Sequence, residues 1–347
     1  MTTSLHRKIS LQSLGRRCML AVAAFGIAAA VLAPVTATAA GSPLPKTKLA
    51  ATDKLAALTL KSQAAPEAVT DFAQNAMTKL AADAPFTAWK NATAEYYPLG
   101  PGTHSWLVHV MSGSERIGYL IVTAVDGGGY TLSEYGAGTS GLPYSLTELR
   151  RFAAQEALIP SSSANLKLEA LYAPLLPVWK LTVSGKTVYL NAVRLEVLPW
   201  NDSKAQAVLG QAAAEAGLDA ALIPASAYKS AGPDDPYRDL RWLTAPKLGK
   251  LDGAMLKTLL TGGSVAFQAA GRNDTVGGPF MVTGVQSWHS SSSAGGAAEA
   301  VYAASGLGGK RYLPLKALQQ AGTLHPLPLA GNAALGVATD AHPGAAK

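Results

Sequence analysis

The chain has 347 residues, 48% of them hydrophobic and 15% charged, with 29 Lys+Arg, 22 Asp+Glu and a single cysteine. Four of the basic residues, Arg7, Lys8, Arg16 and Arg17, lie in an acid-free leader, so removing residues 1–40 leaves 25 basic residues against 22 acidic ones, a net charge of +3. That balance implies no nucleic-acid or anionic-membrane partner, and loss of Cys18 with the leader excludes disulfides, thiolate metal sites and a cysteine nucleophile.

Taken in chain order, "CMLAVAAFGIAAAVLA" is an unbroken apolar run from Cys18 to Ala33, followed by the small residues Ala37 and Ala39. A basic leader, a short apolar run and a small-residue site read as a secretory signal peptide over 1–40, too short to span a bilayer. Gly15 stands where a twin-arginine signal carries Ser or Thr, and no lipobox precedes Cys18. No later run reaches the ~18 apolar residues of a membrane span. Residues 41–65, rich in Ala, Lys, Pro and Thr, read as a linker.

A helix is expected after Pro66, with Val69, Phe72, Ala76 and Leu80 on one stripe. "SWLVHVM" alternates, placing Trp106, Val108 and Val110 on one side and Leu107, His109 and Met111 on the other. "IGYLIVTAV" and "YTLSEY" complete an antiparallel meander. The order then repeats. Ser145 and Glu148 form a capping box for "LTELRRFAAQEAL", and "YAPLLPVWKLTV", "TVYLNA" and "LEVLPW" give a second antiparallel run. The expected fold class is α+β: two helix-plus-antiparallel-meander units over 67–200, then a smaller α+β domain over 201–330.

Gly136, Gly138 and Gly141 match G-x-G-x-x-G, the spacing of a dinucleotide-binding loop. In such a loop the helix begins inside the glycines, so that its free N–H groups face the phosphate. Here the cap is Ser145, beyond Leu142 and Pro143, and the preceding strand is hairpin-linked rather than parallel and buried. The glycines read as turn positions.

From 201 onward the expected elements are a helix to Gly217, a long acidic and aromatic connection, the helix "LDGAMLKTLLTGG", strands "SVAFQAA", "PFMVTGVQSW", "VYAAS" and "KRYLPL", and a helical turn "KALQQAG". Residues 331–347 form an Ala/Gly-rich tail, expected to be disordered.

No constellation of catalytic chemistry emerges. Ser226 and Lys229 make S-x-x-K without its partner motifs. The mature histidines His104, His109, His289, His325 and His342 show no metal-ligand spacing, and His109 reads as a half-buried strand residue. Asp234, Asp235 and Asp239 lack the glycine and terminal glutamate of a calcium loop. Trp200, Trp242 and Trp288 are candidates for a carbohydrate platform, with core packing the default. No catalytic, cofactor-binding or metal residue is assigned, and no cofactor.

Two resemblances add to this. "IGYLIVTAVDGGGYTLSEYGAG" is similar to a strand pair in the propeptides of secreted bacterial cysteine peptidases such as streptopain, and "GKTVYLNAVRLEVL" resembles the closing hairpin of PepSY modules. These imply a tandem of cystatin-like, PepSY-like units that inhibit or chaperone a peptidase. "LKTLLTGGSVAF", "GGPFMVTGV", "VYAAS" and "RYLPLKAL" resemble the β-rich half of papain-like peptidases of the bacteriocin-processing type. That resemblance places Pro279 at the histidine position and Ser305 at the aspartate position, a pseudo-peptidase without nucleophile, base or orienting group. A filled apolar site around Pro279 and Ser305 is then expected; an open polar one would reopen the question of chemistry there. The chain reads as a secreted, non-catalytic protein acting by surface contacts. Its expected partner is a secreted peptidase or a cell-envelope component. The alternatives are a secreted hydrolase using carboxylates or His289, and a structural envelope protein.

Overall fold

In α1 (Glu67–Leu80), the carbonyl of Pro66 accepts the first helical N–H bonds, from Val69 at 2.9 Å and Thr70 at 3.1 Å. Its buried stripe is Val69, Ala73, Ala76, Met77 and Leu80, with Phe72 half-buried against Tyr130. The stripe covers one face of the antiparallel meander β1 (Thr93–Leu99), β2 (Ser105–Ser112), β3 (Glu115–Ala124) and β4 (Tyr130–Ala137). Trp106, Val108 and Val110 face α1 as the alternation requires. Leu107, Tyr119 and Ile121 face the opposite way, into a second core.

That second core is closed by α2 (Leu146–Gln155) and by a second antiparallel sheet: β5 (Leu166–Ala173), β6 (Leu176–Val183), β7 (Lys186–Asn191) and β8 (Val197–Leu198). Ser145 caps α2, its hydroxyl accepting the Glu148 N–H at 3.3 Å. The outer face of this sheet is covered by α3 (Asp202–Leu209). The computed structural model describes Leu55 and residues 58–102, 104–126, 128–159, 165–210, 222–271, 277–290, 299–306 and 310–328. The expected signal peptide, the tail, His342 and the stretch of helix expected past Gly210 lie outside these.

The first sheet does not end at β4. Its order continues through β14 (Arg311–Pro314), β13 (Glu299–Ser305), β12 (Phe280–Ser290), β11 (Gly263–Ala269) and β15 (Gly322–Pro328). The short β9 (Leu222–Pro224) and β10 (Tyr228–Lys229) pair with β12 beyond the end of its pairing with β11. The helices α4 (Gly253–Gly262) and α5 (Leu315–Ala321) pack on this part around Leu256, Leu260, Phe267 and Leu318. The fold is α+β, and its larger sheet is antiparallel throughout. The described residues belong to one compact unit.

Where β4 meets β14, Tyr135 stands opposite Tyr312, their rings stacked at 4.9 Å and 5°. Gly136 makes this possible, because a Cβ there would run into the Lys310 carbonyl. Two of the three glycines of the G-x-G-x-x-G pattern, Gly138 and Gly141, adopt positive φ values of 129° and 66° as turn residues. Part of the segment read as a linker is docked: Leu58 is buried in the second core, its carbonyl accepts from Arg150, and the Gln63 N–H donates to Tyr96.

Candidate functional site

The histidines are scattered. His104 is exposed. His109 lies on β2 under the Tyr97 ring, centroids 4.7 Å apart, with Arg116 at 3.2 Å. Burial, with the Arg116 charge adding to it, pushes its pKa down to about 3. His325 is buried; its Nδ1–H donates to the Ala245 carbonyl, so Nε2 accepts from the Thr323 hydroxyl. His289 is exposed on β12, opposite Glu299, with no hydrogen bond or ion pair to it among the described residues.

The other candidates disperse similarly. Ser226 and Lys229 are both exposed. Asp235 caps the Tyr237 N–H, and Asp239 is held bidentately by Arg241, whose hydrogen bonds keep its carboxyl below the usual range. No cluster of metal-ligating side chains occurs among the described residues. Trp200, Trp242 and Trp288 are all buried, so none forms a carbohydrate platform.

Two grooves are prominent. The wider, about 1020 Å³, runs beside residues 58–63, β5 and α3. Its charged side chains are largely answered within it: Glu169 by Lys167 at 3.1 Å and Lys180 at 3.6 Å, Asp202 by the Tyr189 hydroxyl at 2.9 Å. The smaller, about 320 Å³, opens where the ends of the two sheets meet. It is lined by Asn191 and Arg194 from the β7–β8 turn, Gly277 and Gly278 leading into β12, Ser305 and Gly306 at the end of β13, and Lys310 and Arg311 at the start of β14. Asp234 stands exposed at its edge.

This is where the peptidase resemblance put its two positions. Ser305 lines the groove, and Pro279 sits between the lining residues Gly278 and Phe280. The expectation of a filled apolar site is met only in part: the groove is open, while its wall is more apolar than polar, with Leu175, Leu176, Val193 and Phe280 beside the polar groups. Pro279 contributes its carbonyl, which accepts from Arg194 Nη2 at 2.9 Å and ties the β7–β8 turn to the larger sheet.

Arg311 forms the groove's inner wall. It meets Glu134 bidentately, Nε to Oε1 and Nη2 to Oε2 both at 2.8 Å, and Nη2 also reaches the Leu175 carbonyl at 3.1 Å. Glu134 Oε1 takes a further bond from the Tyr119 hydroxyl at 2.6 Å. Burial alone would lower the Arg311 pKa; the adjacent carboxylate more than offsets this and the guanidinium stays charged. Burial pushes the Tyr119 and Tyr172 hydroxyls well up, so both stay neutral, and Tyr119 donates to Glu134.

The groove's remaining donors are incompletely answered within the protein: Arg194 gives one bond to the Pro279 carbonyl, and Lys310 has no partner among the described residues. Ser305 is buried, and its hydroxyl has no partner among the described residues. Neither Lys310 nor Arg194 has an acid within ion-pair distance among them. The arrangement can donate hydrogen bonds and positive charge to a small ligand, and no histidine or carboxylate is hydrogen-bonded to Ser305. Sequence reasoning singled out Ser305 but missed Asn191, Arg194 and Lys310; the available signals were the glycine pairs 277–278 and 308–309 and the Asn-x-x-Arg turn. Comparison with protein-family models, with curated proteins and with solved structures finds no match.

Proposed function

We propose that the chain is an exported, non-catalytic binding protein that acts by surface contact, and that the groove between the sheet ends makes the contact. The observation that carries this is Ser305, a residue only 5% exposed whose hydroxyl opens without a protein partner among the described residues onto a groove flanked by Lys310 and Arg194, neither of them paired with an acid. Proteins satisfy buried polar groups internally or with a ligand or water. Export is supported by the basic leader and apolar run of residues 1–40.

The test follows the backbone amide resonances of Asn191, Arg194, Ser305 and Lys310 while small acids, amines, sugars, esters and peptides are added, with hydrolysis monitored in the same samples. Perturbation of those four without turnover supports binding. Turnover abolished by Ser305→Ala would make the groove a hydrolase site instead, and shifts confined to other regions would remove it as the contact surface.

A peptidase-directed version of this reading has its own support. A helix followed by four antiparallel strands occurs twice, as α1 with β1–β4 and α2 with β5–β8. That order fits a tandem of PepSY-like or propeptide-like units fused to a peptidase-like remnant. Titration of the exported form against papain-like peptidases decides it; full peptidase activity at micromolar excess would leave a cell-envelope component as the expected partner.

A further inference from the structure

The geometry points to a carboxylate as the group the small groove receives. This rests on the binding reading above and names the ligand's chemistry. Asn191 is 3% exposed, and its Oδ1 accepts the N–H groups of Val193 at 2.8 Å and Arg194 at 3.0 Å. Those two bonds fix which end of the amide is which. The nitrogen is left beside Gly277, 3.7 Å from where a Cβ on that glycine would sit, with no acceptor among the described residues. With Ser305, also nine-tenths buried at 5% exposure, two neutral donors open onto the groove with no protein acceptor among the described residues.

Two cations complete the set. The Lys310 stem lies across Gly306, and its Nζ is 2.8 Å from the position a Cβ would take on Gly138, so the ammonium is held by packing rather than by an acid. The Arg194 guanidinium crosses Gly278 and gives one N–H to Pro279, keeping others free. Charge then selects among ligands. Arg311 is neutralised by Glu134, so Lys310 and Arg194 stand against Asp234 alone, an excess of one positive charge. A monoanion with two acceptor oxygens meets two neutral donors and that excess. A phosphate dianion would overfill it and face Asp234, and a cation would be repelled. At about 320 Å³ the groove holds one terminal carboxylate and little more than the group that bears it. A small organic acid and the C-terminus of a polypeptide present the same chemistry.

The full chain is titrated calorimetrically with acetate, with a short N-acetylated peptide as free acid and as C-terminal amide, and with inorganic phosphate. The free acids are expected to bind and the amide to bind at least ~10-fold more weakly, the loss of a charge-assisted bond. Acetate matching the peptide assigns a small acid; preference for the peptide acid assigns a chain terminus. Asn191→Asp, which keeps the turn-capping oxygen but replaces the donor with negative charge, and Lys310→Gln should each weaken binding on the order of tenfold or more, Lys310→Gln at unchanged melting temperature and Asn191→Asp at a lowered one because its carboxylate is buried. Phosphate binding more tightly than any carboxylate, or amide and acid binding alike, would overturn the carboxylate assignment and leave the groove as a binding site. Acid binding at parental affinity in both variants would take the groove away altogether, and the reading it rests on with it.

Discussion

Glu134 has no exposed surface, and Arg311 is 9% exposed, so inside the fold each is the other's counter-charge. Glu134→Gln leaves a buried guanidinium with half its partner, and ~3–5 kcal/mol of stability should be lost. Replacing both, as Glu134→Gln with Arg311→Met, removes the charge that needed an answer and should cost less than the two single changes summed. Urea unfolding of the parent, both singles and the double measures this; strictly additive costs would mean the pair is not coupled. His109 carries the pH dependence at this scale. Its folded pKa is depressed to about 3 while the unfolded ring titrates near its ordinary value. As pH falls below ~6.5 the unfolded chain takes up a proton that the folded chain refuses, so stability drops toward pH 3, by up to ~1.4 kcal/mol per unit. In His109→Gln that slope should flatten by as much as one proton; equal slopes in parent and variant between pH 6.5 and 4 would dissociate the ring from acid sensitivity.

Among the elements, the join of β4 to β14 is the most exacting, because the β14 lead-in presses on the bare Cα of Gly136. Gly136→Ala should cost ~1–3 kcal/mol, the range for forcing bulk into a packed place, whereas Gly141→Ala, with φ of 66° but open space around it, should cost about 1. Denaturant midpoints rank the two, and the reverse order would mean the strand junction yields easily. What was legible at this scale follows from period. Trp106–Val110 alternates, and its period gives the two faces the strand shows, up to the register shift before Met111; Ser145 marks the start of its helix, and the glycine triplet lies at the exit of an antiparallel strand, ahead of that cap. β15 went unread because "GTLHPLP" carries Pro326 and Pro328, which argue against a central strand. It sits at the end of the sheet path and, among the described residues, pairs only with β11, a position where proline is tolerated. The groove was illegible for another reason. Asn191 and Ser305 end separate strands, Gly277 and Lys310 lead into two others, and no local pattern records that two sheets end at one place.

At the scale of the whole molecule, the larger sheet crosses the boundary that composition suggests near residue 200. Tyr135 stacks on Tyr312, its hydroxyl donates to Gln286 at 2.8 Å, Tyr302 donates to the Leu132 carbonyl at 2.6 Å, and Arg311 answers Glu134. Each of these joins residues 93–137 to residues 280–312. Cut at 200, the first half would carry β4 as an unpaired edge with Tyr135 uncovered, and would bury Glu134 with no cation beside it. Unpaired edges associate, and an unanswered buried charge costs several kcal/mol, comparable to the stability of an ordinary domain. Residues 41–200 and 201–347 expressed separately should therefore each be aggregated or lack a cooperative transition, and co-expression should recover a soluble complex. In the intact chain, tryptophan fluorescence and far-ultraviolet circular dichroism should report one coincident unfolding transition. Two halves that each melt sharply alone would mean that the shared sheet is a docking of finished domains, and that the groove at its end forms only after both have folded.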